Sequence, residues 1–251
     1  MNNQRKIRHL DRLEHRLDRF DKILDSRREH ISNRLDQRKA KLSSKLNLKQ
    51  GQIIVAALEL LSENGLNDLS LRDIAKKLDV QAPALYWYFR SKSELVDYIA
   101  EAILNQEFTD MKPRTEYESW QNWLTGCMVK LRKAMLAYPD GGRVVAGAHL
   151  NPTVTLAKIF EYALESLTGA SVDTQTALRT IMTACYYTFG YVIEEQASPN
   201  LVQTAESFGS KSLAELYPNM AHAISESTRL GITQDDNFLA GLQFIIAGAA
   251  T

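Results

Sequence analysis

The chain has 251 residues, is 45% hydrophobic and 24% charged, and balances 30 Lys/Arg against 30 Asp/Glu. That length buries a sizeable core, and no apolar run approaches the roughly 20 residues a membrane-spanning helix needs. The zero net charge conceals a division: residues 1–50 hold 15 basic and 7 acidic side chains (+8), whereas the remainder holds 15 and 23 (−8). A basic end facing an anionic partner and an acidic remainder is one reading of this separation, a solvated helix face the other.

The opening residues, MNNQRKIRHLDRLEHRLDRF, are basic but lack an apolar stretch, so no secretory signal is expected there. Cys127 and Cys185 lie far apart within apolar periodic segments, which predicts buried free thiols in a reducing, cytoplasmic setting.

Within residues 1–46, Leu10, Leu17, Leu24 and Ile31 recur every seven residues, with Leu13 and Phe20 between them, a heptad seam. The seam breaks at Arg27, and the apolar spacing resumes as Leu35, Leu42 and Leu46. Ser26-Arg-Arg-Glu29 at the break matches a helix-starting capping box. Two forms fit: a helical hairpin turning near Asp25–Ser26, favoured because one helix would leave its seam unpartnered, or a single coiled-coil helix with a stutter.

Residues 47–95 form the next unit. Asn47 is an N-cap candidate for the amphipathic helix GQIIVAALELLSENG, which stops at Gly65. Ser70 caps LRDIAKKL, a short turn follows at Asp79-Val80, and Pro83 lies in the first turn of APALYWYF, where its missing N–H is harmless. Ser91-Lys-Ser-Glu94 is a further capping box, opening a helix to about Glu107. Residues 96–251 read as more helices, interrupted near Pro139-Asp-Gly-Gly142, Asn151-Pro152, Gly169, Ser198–Ser210 and Gly231. No alternating strand pattern occurs, so the predicted class is all-α.

LRDIAKKL, a tight turn and APALYWYF make a helix-turn-helix pattern. Ala75 is small where the helices cross, and Ile74, Leu78, Val80, Leu85 and Phe89 supply the interior. Four consecutive aromatic residues, Tyr86 to Phe89, cannot share one core; Leu85 and Phe89 face inward at i, i+4, leaving rings for the surface. Such rings can rest on a sugar or a thymine methyl, a tyrosine hydroxyl can meet a phosphate, and Arg72 and Lys92 suit phosphates on either side. A structural three-helix unit with an aromatic surface is the alternative; proline at the helix start, flanking basic residues and surplus rings favour DNA.

The stretch LSLRDIAKKLDVQAPALYWYFRSKSELVDYIAEAIL resembles the DNA-binding region of the tetracycline-repressor (TetR) family, over about residues 48–107. Weaker similarity continues through ESWQNWL, YPDGGRVVAG and YYTFGYVIEEQ. The resemblance implies a homodimeric, all-helical transcriptional regulator, usually a repressor, that leaves a palindromic double-stranded DNA operator when a small molecule enters its C-terminal domain. It carries DNA contacts onto Arg72, Gln81, Pro83, Tyr86, Tyr88 and Lys92. Tetracycline repressors have polar residues where Ala82 and Ala84 stand here, and these methyls can touch thymine but cannot bond a base edge. The operator is therefore expected to differ. Asp79 stands where the family often has glycine, and aspartate tolerates a left-handed turn.

TQTALRTIMTACYYTFGYVIEEQ and DDNFLAGLQFIIAGAAT are apolar on several sides. By resemblance they form a four-helix dimer interface, with Gly190, Gly241 and Gly248 allowing close approach; an internal bundle core is the alternative. Phe108, Trp123, Cys127, Leu131, Val145, His149, Phe160, Tyr186 and Tyr187 are candidates to line an effector pocket. Tetracycline repressors hold a magnesium–drug chelate, and their metal-binding histidine aligns with Val145, four residues before His149. The histidine and asparagine that grip the drug align with Phe108 and Cys127. No metal, no cofactor and no tetracycline response are expected, but an organic effector in an apolar, aromatic pocket.

No zinc spacing or catalytic pair arises from His9, His15, His30, His149 and His222, and no phosphate loop or nucleophile elbow is present. An enzyme is not expected. The basic segment 1–46 lies outside the resemblance. It is expected either to add DNA-backbone contacts through Arg12, Arg16, Arg19, Arg27, Arg28 and Arg34, or to act as a protein–protein coiled coil. Binding to an anionic membrane is disfavoured by its thin, Trp-free seam.

Overall fold

The computed structural model describes residues 50–151, 153–197 and 213–249. The chain divides into two compact units, residues 1–53 and 54–251. The extension, with the six arginines singled out above as candidate DNA contacts, and the proposed cap Asn47 lie outside the described residues.

Every regular element among the described residues is a helix. They are α1 (Gln50–Asn64), α2 (Leu71–Lys77), α3 (Ala82–Leu85), α4 (Lys92–Phe108), α5 (Trp120–Leu136) and α6 (Gly141–Ala146). Then come α7 (Val154–Thr168), α8 (Thr174–Ala197), α9 (Leu213–Leu216), α10 (Pro218–Arg229) and α11 (Gln234–Gly248).

Local chemistry sets the boundaries in the N-terminal part of the larger unit. Gly65, at φ +75°, terminates α1, and its N–H bonds Leu61 O at 2.9 Å. Ser70 caps α2 by accepting from Asp73 N. The end of α2 is a Schellman motif: Asp79 adopts φ 53°, Asp79 N bonds Lys76 O at 3.2 Å, and Val80 N reaches back to Ala75 O at 3.0 Å. Aspartate thus carries the left-handed residue of the turn. Ser91 caps α4 by accepting from Glu94 N, and the Glu94 carboxylate accepts from Arg90 N at 2.6 Å.

The second helix of the pair is shorter than the sequence pattern predicts. Regular α-helix covers only Ala82–Leu85, and the segment continues as hydrogen-bonded turns, with Tyr88 N and Phe89 N both bonding Leu85 O. Tightening here keeps Leu85 and Phe89 fully buried while Tyr86 and Trp87 face out and Tyr88 is half-buried. The Phe89 ring meets Tyr98 of α4 edge-on at 5.4 Å.

The long helix α4 leads from this unit into a bundle in which it packs against α5, α6 and α7. Helix α8 packs against α5, α6, α7 and α11. Ile99, Ala100, Ile103, Leu104, Leu124, Met128, Leu131, Ile159, Ala163, Ile181, Ala184 and Val192 fill the interior. Helix α6 fits closely because its first residues are glycines. A Cβ on Gly141 would lie 2.0 Å from Met135 O, and one on Gly142 would lie 3.0 Å from the Val192 side chain. Gln196 of α8 then secures the turn, accepting from Gly142 N and donating to Tyr138 O.

Candidate nucleic-acid interface and effector site

The α2–turn–α3 unit buries Leu71, Ile74, Ala75, Leu85 and Phe89 and turns a compact set of side chains outward. Tyr86 and Trp87 are 55% and 67% exposed. Gln81 and Pro83 are exposed, and Ala82, Ala84 and Tyr88 are half-buried. Gln81, the N-cap of α3, makes no capping bond with its side chain. Arg72 is exposed on the first turn of α2 and has no hydrogen bond or ion pair among the described residues. The Lys92 ammonium, in the first turn of α4, donates to Leu66 O at 3.0 Å, which holds it near the α1–α2 loop with two further donors available. A cation, an amide, a proline and aromatic rings thus converge on one short segment whose backbone is pinned from beneath. Such a surface offers phosphate, base-edge and thymine-methyl contacts together.

The α1–α2 loop and α4, on either side of this unit, are tied to the rest of the bundle by polar contacts that the sequence pattern did not reveal. Asp140, itself left-handed at φ 57°, accepts from Leu66 N at 2.9 Å, and Arg143 donates to Asn67 Oδ1 at 3.2 Å. On α4, buried Asp97 accepts from His149 N at 2.9 Å and faces His149 Nδ1 at 3.2 Å. One turn later Glu101 accepts from Thr155 N and Thr155 Oγ1. The signal available in sequence was a carboxylate, Asp97, set between the apolar positions Leu95 and Ile99; its partners lie more than 50 residues away.

The bundle brings five of the pocket candidates inside. Phe108 of α4, Trp123, Cys127 and Leu131 of α5, and Val145 of α6 are all buried. Trp123 satisfies its indole N–H on Lys112 O at 3.3 Å. Burial pushes the Cys127 thiol up to about 12. Cys185 of α8 is likewise pushed up to about 12, first by burial and then by its proximity to Cys127. Both thiols are therefore protonated at neutral pH. Phe160 of α7 is half-buried.

Three candidates fall elsewhere. The His149 side chain is 70% exposed, with Nδ1 turned toward the buried Asp97 of α4 and the rest of the ring outside the bundle interior. Tyr186 is 60% exposed on α8. Tyr187 stacks on Phe238 of α11 at 5.6 Å and donates its hydroxyl to Phe238 O at 3.1 Å, so it belongs to the α8–α11 contact. The glycines divide in the same way. Gly190 and Gly248 face open space, whereas Gly241 makes room within the chain: a Cβ there would lie 2.2 Å from the Tyr187 hydroxyl. Among the described residues no three side chains able to bind a metal come together.

Comparison with known proteins agrees with this layout. Residues 53–99 match the model for bacterial regulatory proteins of the tetR family, and residues 112–251 match that for the tetracyclin repressor-like C-terminal domain. The tetracycline repressor protein class A from transposon 1721 of Escherichia coli is 37% identical over 203 residues, covering 81% of this chain and 91% of its own. The class C repressor of Escherichia coli is 34% identical, covering 80% and 90%. Among solved structures, TetR from Acinetobacter baumannii AYE superposes with a TM-score of 0.61 at 32% identity, covering 80% of this chain and 96% of its own. A possible TetR family transcriptional regulator from Streptomyces coelicolor A3(2) does so with a TM-score of 0.67 at 28% identity, covering 80% and 98%. From the capped helix pair to the C-terminal bundle, this chain belongs to the TetR family of bacterial regulatory proteins.

Proposed function

We propose that the chain is a ligand-responsive transcriptional repressor that binds a palindromic operator as a homodimer and leaves it when a small organic molecule enters the bundle. The observation that carries this reading is the α2–turn–α3 unit, whose buried Leu85 and Phe89 hold Arg72, Gln81, Pro83, Tyr86 and Lys92 at the surface. In the proposed complex the recognition segment enters the major groove, Tyr86, Tyr88, Arg72 and Lys92 take phosphates, and Gln81 reaches a base edge. Ala82 and Ala84 favour thymine at the bases beneath them. Chemistry plays no part; the protein works by binding. No helix among the described residues is long and apolar enough to cross a membrane, which fits a regulator acting in the cytoplasm.

The effector is proposed to be largely apolar and to bind without a metal, because Phe108, Cys127 and Val145 present rings, a protonated thiol and methyls. His149, the nearest histidine in sequence to Val145, is engaged by Asp97 at the surface. Adding magnesium and tetracycline to the protein–operator complex is expected to release no DNA; release at micromolar drug, followed by fluorescence anisotropy, would overturn the metal-free reading.

For residues 1–46 the excess of basic side chains favours added contacts to the DNA backbone through Arg12, Arg16, Arg19, Arg27, Arg28 and Arg34. The heptad of Leu10, Leu17, Leu24 and Ile31 supports a second reading, a coiled coil that assembles dimers or docks another protein. Binding to genomic fragments over a salt series decides between them, comparing the full chain with residues 46–251. Each lost phosphate contact is expected to flatten the slope of log affinity against log salt by roughly 0.9. Equal slopes assign the extension to protein association, and failure of both proteins to bind any fragment would remove the DNA-binding reading itself.

A further inference from the structure

A buried cation lies away from both sites. Arg132, on α5, is largely enclosed, and its guanidinium binds two carboxylates on two other helices. Nε and one terminal nitrogen hold Glu195 of α8 at 2.9 and 2.7 Å, and the other nitrogen holds Asp235 of α11 at 2.7 Å. Its carbon lies 5.1 Å from the centre of the Phe238 ring and 5.7 Å from that of Tyr191. The Glu195 hydrogen bonds raise its pKa further above the ordinary arginine value, so it stays charged.

The placement matters because of how α11 is held. Phe238, Leu242 and Ile246 bury one ridge of α11, which packs on α8 and α5. At its first turn Tyr191 donates to Gln234 O at 2.7 Å, and Arg132 ties Asp235 to the same end. The outer surface of the helix pair carries Phe244 at 80% and Tyr186 at 60% exposure, large apolar groups for which a second copy of the chain is the fitting partner. Without the guanidinium, Glu195 and Asp235 would be two unneutralised carboxylates at the α8–α11 junction, and their repulsion would lift the start of α11.

We propose that Arg132 is a positioning residue for the homodimer face. By holding Glu195 and Asp235 together it keeps α11 seated on α8, so that the outer surfaces of the two helices present one continuous patch. The inference rests on the reading that α8 and α11 form the dimer interface, and the test separates the two.

Dimer dissociation of the full chain is measured by analytical ultracentrifugation over a dilution series, with thermal melting of each variant alongside. Arg132→Met is expected to raise the dimer dissociation constant by about tenfold or more. Asp235→Asn, at an exposed side chain that the fold tolerates, is expected to raise it several-fold. The combination Arg132→Met with Glu195→Gln and Asp235→Asn is expected to recover most of the loss, since no charge remains to repel. Residues that served the fold alone would shift melting without moving the dissociation constant, and that result overturns the proposal. Should Arg132→Met fail to fold, Asp235→Asn decides. Phe244→Asp locates a failure. If it breaks the dimer while Arg132→Met and Asp235→Asn do not, the clasp is wrong; if it leaves the dimer intact, the interface lies elsewhere and the proposal falls with it.

Discussion

Replacing Phe89 by alanine is expected to destabilise the DNA-binding part of the chain by about 3–5 kcal/mol and to abolish operator binding. The ring is fully buried, meets Tyr98 edge-on and closes the small core formed with Ile74, Ala75 and Leu85. A core this small has little material with which to collapse around a lost ring, so the cavity persists. The neighbouring ring provides the control. Trp87 is 67% exposed, and its replacement by alanine is expected to change stability by no more than about 0.5 kcal/mol. Melting followed by circular dichroism, with operator binding at the same temperature, checks both. A Phe89→Ala protein that melts and binds like the parent would show that the recognition segment is not anchored through this ring.

Arg72→Ala is expected to leave the fold unchanged and to weaken operator binding by about 1–3 kcal/mol at each half-site. Two protomers on a palindrome make each loss count twice, so the dimer should lose roughly 2–6 kcal/mol, about 30-fold at the lower end. Stability should hold because Arg72 is exposed and has no partner within the described residues whose loss would be felt. The manner of the loss identifies the contact. If Arg72 reads a base edge, discrimination between operator variants relaxes at one position per half-site; if it meets phosphate, all sequences weaken together and the salt slope flattens by roughly 1.8 for the dimer. An affinity equal to that of the parent would remove Arg72 from the interface.

Much of the recognition unit was legible in the chain because its determinants are local. Ser70 and Asp73 lie three residues apart, as do Ser91 and Glu94, and a capping bond needs only that spacing. Asp79 fills the left-handed position of the turn because a short polar side chain tolerates it. That one ring of the aromatic run goes inward and others outward follows from periodicity alone. The length of α3 did not follow: regular helix ends at Leu85 and tighter turns carry the chain to Phe89, whose ring packs on Tyr98 of α4, a contact no local pattern encodes.

The effector site was legible only in part. Apolar periodicity brought Phe108, Trp123, Cys127, Leu131 and Val145 inside but could not say which face of an all-round apolar helix meets which neighbour. Tyr186 and Tyr187 occupy adjacent positions on α8, and a rotation of about 100° between successive residues sends one to solvent and the other onto Phe238. The same limit applies to Gly241, whose close neighbour is the Tyr187 hydroxyl of its own chain.

By itself, the sequence determined the all-helical class, the capped turns, the recognition segment and the apolar composition of the bundle, because each depends on residues within one or two helical turns of one another. Only the tertiary structure decided the polar joints: Asp140 on Leu66, Asp97 on His149, Glu101 on Thr155, and Arg132 between Glu195 and Asp235. Those partners are separated by 52 to 103 residues. A charge in an apolar stripe announces that a counter-charge or a set of hydrogen-bond partners must meet it, since burying it alone is prohibitive. Which of the chain's many carboxylates meets it is settled by how the helices pack, and no spacing along the chain encodes that.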